Sequence, residues 1–278
     1  MSRLIDTHAH INFEAYGADR RQVIENSLNE GVFMVNVGVN YASSLRAVEI
    51  SKEYGDGIWA AIGLHPENIV FEPEKSLEPE VNPENIEEMD FDVALYRGLV
   101  KSSDKVIAIG EIGLDYLRLP KNEARAARIR AKQAEVFKQQ LTLSRELGLP
   151  AIIHTRMAHK DTINALREFA GPQGSVNGVI HCFTGNVDEL RQYCDLGSYF
   201  GLNGIIFKLD LDEAIAKMPL ERILLETDCP FLSPLPEVKR NEPRFVLNVA
   251  ERVAQIRNDS VETIIEAATE NAKRLFRI

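Results

Sequence analysis

The sequence predicts a (β/α)₈ barrel, and three observations carry that expectation. Short apolar runs rich in Ile, Val, Leu and Ala recur eight times along the 278 residues. They are nearly continuous rather than alternating, as parallel strands buried on both faces require. Helical stretches lie between them, and polar residues gather where the runs stop. Eight such alternations in this length fit a closed barrel better than an open doubly wound sheet.

The runs come in order as "RLIDTHAH", "VFMVNVGV", "IWAAIGLHP", "VIAIGEIGLD", "LPAIIHTR", "GVIHCFTG", "SYFGLNG" and "RILLETDCP". The helical stretches carry their own stop signals. "DRRQVIENSLNEG" ends on Gly31, "NEARAARIRAKQAEVFKQQLTLSRELG" on Gly148 and "NVDELRQYCDLG" on Gly197. Glycine takes the left-handed conformation that closes a helix without steric cost. The last stretch, "SVETIIEAATENAKRLF", opens on Ser260 with Thr263 three residues on. The reciprocal glutamate of a capping box is missing, so a weak cap is expected. No repeat and no linker composition divides residues 1–278, which reads as one barrel domain. One segment stands apart: "ENIVFEPEKSLEPEVNPENIEEMD", roughly 67–90, holds three prolines and many acids. It reads as a solvated acidic insertion after the third strand.

Composition bounds the function. A 45% hydrophobic and 27% charged chain suits a soluble protein with a large core. No run is long enough for a membrane span, and the opening residues lack the apolar core of a signal peptide. Cys182, Cys194 and Cys229 are too few, and odd in number, for a disulfide framework. A reducing cytoplasm is the expected setting. The formal charge of −10 argues against a broad basic nucleic-acid footprint. It leaves room for a nucleic-acid enzyme, because bound divalent cations supply positive charge locally.

In a barrel of this kind, chemistry sits at the C-terminal strand ends. There the sequence places His8 and His10 (strand one), His65 (three), Glu111 (four), His154 (five), His181 (six) and Asp228 (eight). Five of the six histidines therefore converge on one mouth; His159 starts a helix and is expected at the surface, with contact to a ligand at the rim as the lesser reading. A single buried histidine is more often a hydrogen-bonded core residue than a ligand, but seven coincident placements are not explained that way. Imidazoles and carboxylates converging in this manner are a metal-binding donor set. His8 and His10 share one face, because side chains on a strand repeat every two residues. Glu111, with two oxygens, can bridge two ions. Asp6 lies deeper on the same face and is expected to be structural or to orient a ligand histidine. Cys182 and Cys229 each follow a site residue by one step and are expected to pack outside the mouth as small hydrophobes. Arg156 and Asn203 point to the mouth as substrate contacts, and Arg240 with Glu242 reads as a structural ion pair.

The motifs "DTHAH", "GLHP", "IGEIGLDY", Gln139 before "LGLPAIIHTR", "HCFTG", "YFGLNG", "LLETDCP" and "RNEP" occur in order along nearly the whole chain. With them the sequence resembles the TatD-family metal-dependent deoxyribonucleases, within the amidohydrolase-like barrels. The resemblance implies metal ligands at His8, His10, Glu111, His154, His181 and Asp228. It implies His65 near the substrate phosphate, and one to three divalent ions; two are expected here, as Mg²⁺, Mn²⁺ or Zn²⁺. It implies hydrolysis of DNA phosphodiester bonds, often as a 3′–5′ exonuclease on single strands; no membrane is expected, and no protein partner is implied. Where amidohydrolases of other branches carry a modified lysine, this sequence has Glu111. The catalytic roles expected are Asp228 as acceptor of the water proton, Glu111 as bridge and His65 as stabiliser of phosphoryl charge. Two other classes remain open: an ester or amide hydrolase on the same site, such as an aminoacyl-tRNA deacylase, and a non-enzymatic metal-binding protein.

Overall fold

The structure, a computed structural model, describes residues 3–69, 90–172 and 174–278. Most of the acidic insertion, 70–89, lies outside the described residues. Its first residues form a short 3₁₀ turn, Pro66–Asn68.

Eight parallel strands run in chain order around one sheet. They are β1 (Leu4–Ala9), β2 (Val32–Val37), β3 (Ile58–Ile62), β4 (Val106–Asp115), β5 (Ala151–Arg156), β6 (Gly178–Ile180), β7 (Tyr199–Leu202) and β8 (Ile223–Leu225). Helices α1 (Arg20–Asn29), α2 (Tyr41–Glu53), α3 (Val93–Lys101), α4 (Glu123–Leu147), α5 (His159–Ala170), α6 (Val187–Asp195), α7 (Asp212–Lys217), α8 (Val246–Arg257) and α9 (Val261–Phe276) pack around it. The predicted runs and helices are all present. Gly31, Gly148 and Gly197 take positive φ at the predicted helix ends. Ser260 Oγ accepts the Thr263 N–H at 3.1 Å, so the cap expected to be weak forms through its hydroxyl alone.

The barrel closes between β1 and β8 through polar contacts as well as the sheet. Ala9 bridges Cys229 in parallel. Asp228 N–H donates to His8 O at 2.9 Å, and His10 N–H donates to Cys229 O at 2.8 Å. Thr7 Oγ1 donates to Leu225 O at 3.1 Å. Asp6 completes the seam. Its Oδ1 accepts from the backbone of His8 (3.1 Å) and Thr227 (2.9 Å), and its Oδ2 from the Thr227 hydroxyl (2.6 Å). Of the two roles expected of Asp6, structural support and orientation of a ligand imidazole, its contacts fit the first: it ties the backbones that carry His8 and Asp228.

The glutamine motif works through its second member. Gln139 is half-buried on α4 and reaches Glu135. Its neighbour Gln140 is fully buried, and its amide accepts from Leu64 N at 2.8 Å and donates to Leu64 O at 3.0 Å. This side chain replaces a strand neighbour for the backbone just ahead of His65. Removing it leaves two buried backbone groups unpaired, each worth about 1–3 kcal/mol. Gln140→Ala is therefore expected to lower stability by roughly 2–4 kcal/mol. Urea unfolding should show a lower midpoint with an unchanged slope.

Candidate metal centre

The seven predicted strand-end residues meet at one mouth, though not all at strand ends. Glu111 lies inside β4, which runs on to Asp115. Its extension is irregular: the pairing with β5 shifts register between Ile109 and Ile112. Gly113, at φ +145°, faces the His154 carbonyl where a Cβ would come within 2.0 Å. That irregularity turns Glu111 inward. Asp228 lies three residues past β8 and takes a left-handed φ of 56°, which swings its carboxylate over the seam.

The two oxygens of Glu111 face two different groups. Against Oε2 stand His8 Nε2 at 3.3 Å and His10 Nε2 at 3.7 Å. Asp228 Oδ1 lies 3.8 Å from His8 Nε2 and 3.4 Å from His10 Nε2. The two imidazole nitrogens are 3.1 Å apart. Against Oε1 stand His154 Nδ1 at 2.8 Å, His65 Nε2 at 3.4 Å and His181 Nε2 at 3.7 Å. Donor atoms sharing one ion at about 2.1 Å stand roughly 3–3.5 Å from each other, close to the spacing here.

Hydrogen bonds on the far side of each ring decide which nitrogens can be ligands. A neutral imidazole has one N–H and one lone pair. His10 Nδ1 lies 2.9 Å from the Val37 carbonyl, which can only accept, so its Nε2 keeps the lone pair. His181 Nδ1 faces Glu226 Oε1 at 2.8 Å, which likewise frees Nε2. His154 Nε2 meets Asp115 Oδ2 at 2.8 Å, so in the neutral ring that a metal would require, the lone pair falls on Nδ1, toward Glu111. His65 is the reverse case. Its Nδ1 accepts the Glu67 N–H at 3.1 Å, so Nε2 carries the proton. His65 therefore presents a donor to the mouth, in keeping with the expectation of a phosphate contact rather than a ligand.

The electrostatics show how strongly the centre calls for positive charge. Glu111 and Asp228 are buried carboxylates, and without a cation protons on the neighbouring imidazoles supply that charge. Burial alone would raise the Glu111 carboxyl, but the surrounding imidazoles hold it well below the usual range. Burial works against charge on His181, yet Glu226, Glu111 and Asp228 push it up to about 10. Asp115 and Glu111 likewise overcome burial and push His154 up to about 9. The donor set thus fits divalent cations: nitrogen and oxygen ligands, two carboxylates, and a demand for positive charge at the centre. His8, His10, Glu111 and Asp228 would hold one, and Glu111, His154 and His181 another.

Two carboxylates of this site escape a count of strand ends. Glu226, buried in "LLETDCP", accepts from Cys182 N at 2.8 Å and from Asn203 Nδ2 at 2.9 Å besides facing His181. Gly201 leaves it room, since a Cβ there would lie 2.2 Å from Glu226 Oε2. Asp115 accepts from His154 and from Arg156 Nε at 2.6 Å. Both stood inside motifs already noted; the signal was a second acid within two to four residues of a first.

Several expectations change here. Asn203 was expected to touch substrate; it is fully buried, and its amide supports Glu226 and caps the following 3₁₀ turn through Ile205 N. Arg156 does reach the mouth, but between Asp115 and Glu67, whose Oε1 lies 2.7 Å from its Nη2. Cys182 is not outside the mouth. The chain leaves β6 at Ile180 and takes φ 47° at Cys182, so strand alternation no longer applies, and Sγ lies 3.5 Å from Asn203 Oδ1. Cys229 does pack away from the mouth, beside Ile11 and Tyr16. His159 is half-buried rather than superficial, between Tyr193 Oη (3.2 Å) and Thr184 Oγ1 (3.3 Å). Arg240 does meet Glu242 at 3.5 Å, but its main partner is Asp19, gripped by two guanidinium nitrogens at 2.8 and 2.6 Å.

Carboxylates that fix a ligand imidazole typically matter by 10–100-fold in metal affinity. Glu226→Gln keeps the shape and loses the charge, so about a 10- to 100-fold weaker affinity for Mn²⁺ or Zn²⁺ is expected. Competition with a chromophoric chelator measures it; unchanged affinity contradicts the role given to Glu226.

Known proteins share this arrangement along the whole chain. The model of the TatD-related DNase family matches residues 5–277. The "uncharacterized metal-dependent hydrolase YabD" of Bacillus subtilis is 39% identical over 282 residues, covering 99% of this chain and 99% of its own. The "3′-5′ ssDNA/RNA exonuclease TatD" of Edwardsiella piscicida is 31% identical over 288 residues, covering 99% and 100%. Among solved structures, the TatD homologue YjjV of Escherichia coli superposes with a TM-score of 0.81 at 25% identity, covering 99% and 98%. A match spanning all eight strands and the residues between them leaves one conclusion: this chain belongs to the TatD-related DNase family.

Proposed function

We propose that this chain is a metal-dependent nuclease that removes nucleotides from the 3′ end of single-stranded DNA. The observation that carries the reading is Glu111, whose two oxygens each face a separate set of imidazoles. Family membership supports hydrolysis, and the relative named as a 3′-5′ ssDNA/RNA exonuclease supports the substrate and direction. Divalent cations in such a site make a nucleophile available at neutral pH and neutralise charge on the phosphoryl oxygens.

The chain's own groups divide the remaining work. Asp228 has 16% of its side chain exposed, against 4% for Glu111, so it is the acidic group that water reaches. It is the acceptor for the proton of the attacking water. His65 points its Nε2 proton at the mouth and donates to a phosphoryl oxygen as charge builds there. Arg156 sits two residues past His154 and, besides steadying Asp115, adds positive charge at the rim. Glu226, Asp115 and the Val37 carbonyl hold His181, His154 and His10 in the tautomers that the site needs. The described residues include no helix long and apolar enough to cross a membrane.

Glu111→Ala and Asp228→Ala test the reading. Loss of a metal-ion contribution of several kcal/mol corresponds to at least about 10³-fold in rate. Each variant should retain the native circular dichroism spectrum and lose release of nucleotides from a 5′-labelled single strand. A phosphorothioate cap at the 3′ end should protect the strand, and one at the 5′ end should not. Wild-type rates in a folded Glu111→Ala protein would remove the nuclease assignment; turnover of aminoacyl esters without nucleotide release would favour the deacylase class.

A further inference from the structure

The acidic body of this protein is an unusual vehicle for a polyanion. With a net charge of −10 it cannot gain affinity along a strand by broad phosphate neutralisation. The mouth offers something else. Among the described residues, the exposed large hydrophobic side chains are Leu45 and Leu95, on α2 and α3, and five others: Leu117, Met157, Phe207, Leu209 and Phe231. Those five all lie in the connections after β4, β5, β7 and β8, on the face that carries the metal centre. No packing requirement places apolar groups there.

Phe231 is the aromatic one nearest the ligands. Its side chain belongs to a residue 53% exposed, and its ring centroid lies 6.4 Å from that of His10. Phe13 supports it edge-on at 6.2 Å and itself stacks on His10 at 4.4 Å. The backbone that carries the ring is fixed from below. Phe231 N–H donates to Asp228 O at 2.9 Å, so the ring and the ligand Asp228 share one turn. Asn241, fully buried, donates from Nδ2 to Phe231 O (2.7 Å) and to Thr227 O (2.9 Å), and from its backbone to Pro230 O (3.1 Å). This is the asparagine of the "RNEP" motif, whose role the ion pairs beside it leave unexplained.

We propose that Phe231, backed by Phe13, is a stacking platform for the unpaired nucleobase next to the scissile phosphate. The proposal rests on the nuclease reading above. An aromatic face held beside the phosphate-binding centre suits a base of any identity, because every base has a π-face. In a duplex that face is already stacked on its neighbours. The platform therefore selects single strands by what it offers the base rather than by charge.

The test compares wild type, Phe231→Ala and Phe231→Trp on two oligonucleotides: one ordinary, one with abasic residues at its last two 3′ positions. Stacking is worth about 5- to 150-fold per base. Phe231→Ala should lose that factor in kcat/KM on the ordinary strand, mainly through KM, with Phe231→Trp restoring it. On the abasic strand the three proteins should be equal. An equal loss on both strands, or none on either, overturns the platform while leaving the nuclease in place. A wild type without metal-dependent cleavage of the ordinary strand overturns both.

Discussion

Everything at this barrel mouth is arranged around a crowd of hydrogen-bond acceptors. Glu111 and Asp228 are surrounded by imidazole nitrogens within 4 Å, in a region almost closed to solvent. Such a group of atoms is costly in water-free surroundings unless cations offset it. The protein does not relieve the cost by turning the rings over. It fixes them against doing so, with Val37 O, Glu226 and Asp115 each holding the far nitrogen. The demand for positive charge is therefore built in, and in the metal-free site protons on His154 and His181 meet it.

The fold supplies the rigidity this needs. The first and last strands of the barrel carry His8, His10 and Asp228, so any looseness in closure would spread the ligands. Asp6 and Thr227 lock that seam with three hydrogen bonds, and Asn241 locks the turn beyond it. Tyr16 adds a hydroxyl bond to the Asn241 carbonyl, and Arg240 binds Asp19 over the same region. The polar residues of "RNEP" thus act on the metal centre by holding its scaffold. On the opposite wall, Gln140 does the same for the backbone leading to His65.

The barrel and the ligand ring were legible in the sequence because both are written in local patterns. Buried parallel strands need continuous apolar runs, and a mouth needs polar residues where those runs stop. Glu226, Asp115 and Gln140 were not legible, because their roles depend on partners 20 to more than 70 residues away, and Asn241 was not because it serves a turn 10 to 14 residues before it. The misplacement of Cys182 has a different origin. It assumed that strand alternation continues past the strand, and positive φ at Cys182 and Asp228 ends it. Asn203 lies at the predicted strand end, but burial and the nearness of Glu226 turn it from a substrate contact into a support. The tautomer of His65 follows from one backbone N–H, at Glu67, that no pattern in the sequence announces.

Glu111 would be shared by two ions. A crystal grown with Mn²⁺ and measured at the manganese absorption edge addresses it directly. Two anomalous peaks are expected, one beside Glu111 Oε2 among His8, His10 and Asp228, the other beside Oε1 between His154 and His181. A single peak, or two peaks of which only one touches Glu111, would contradict it.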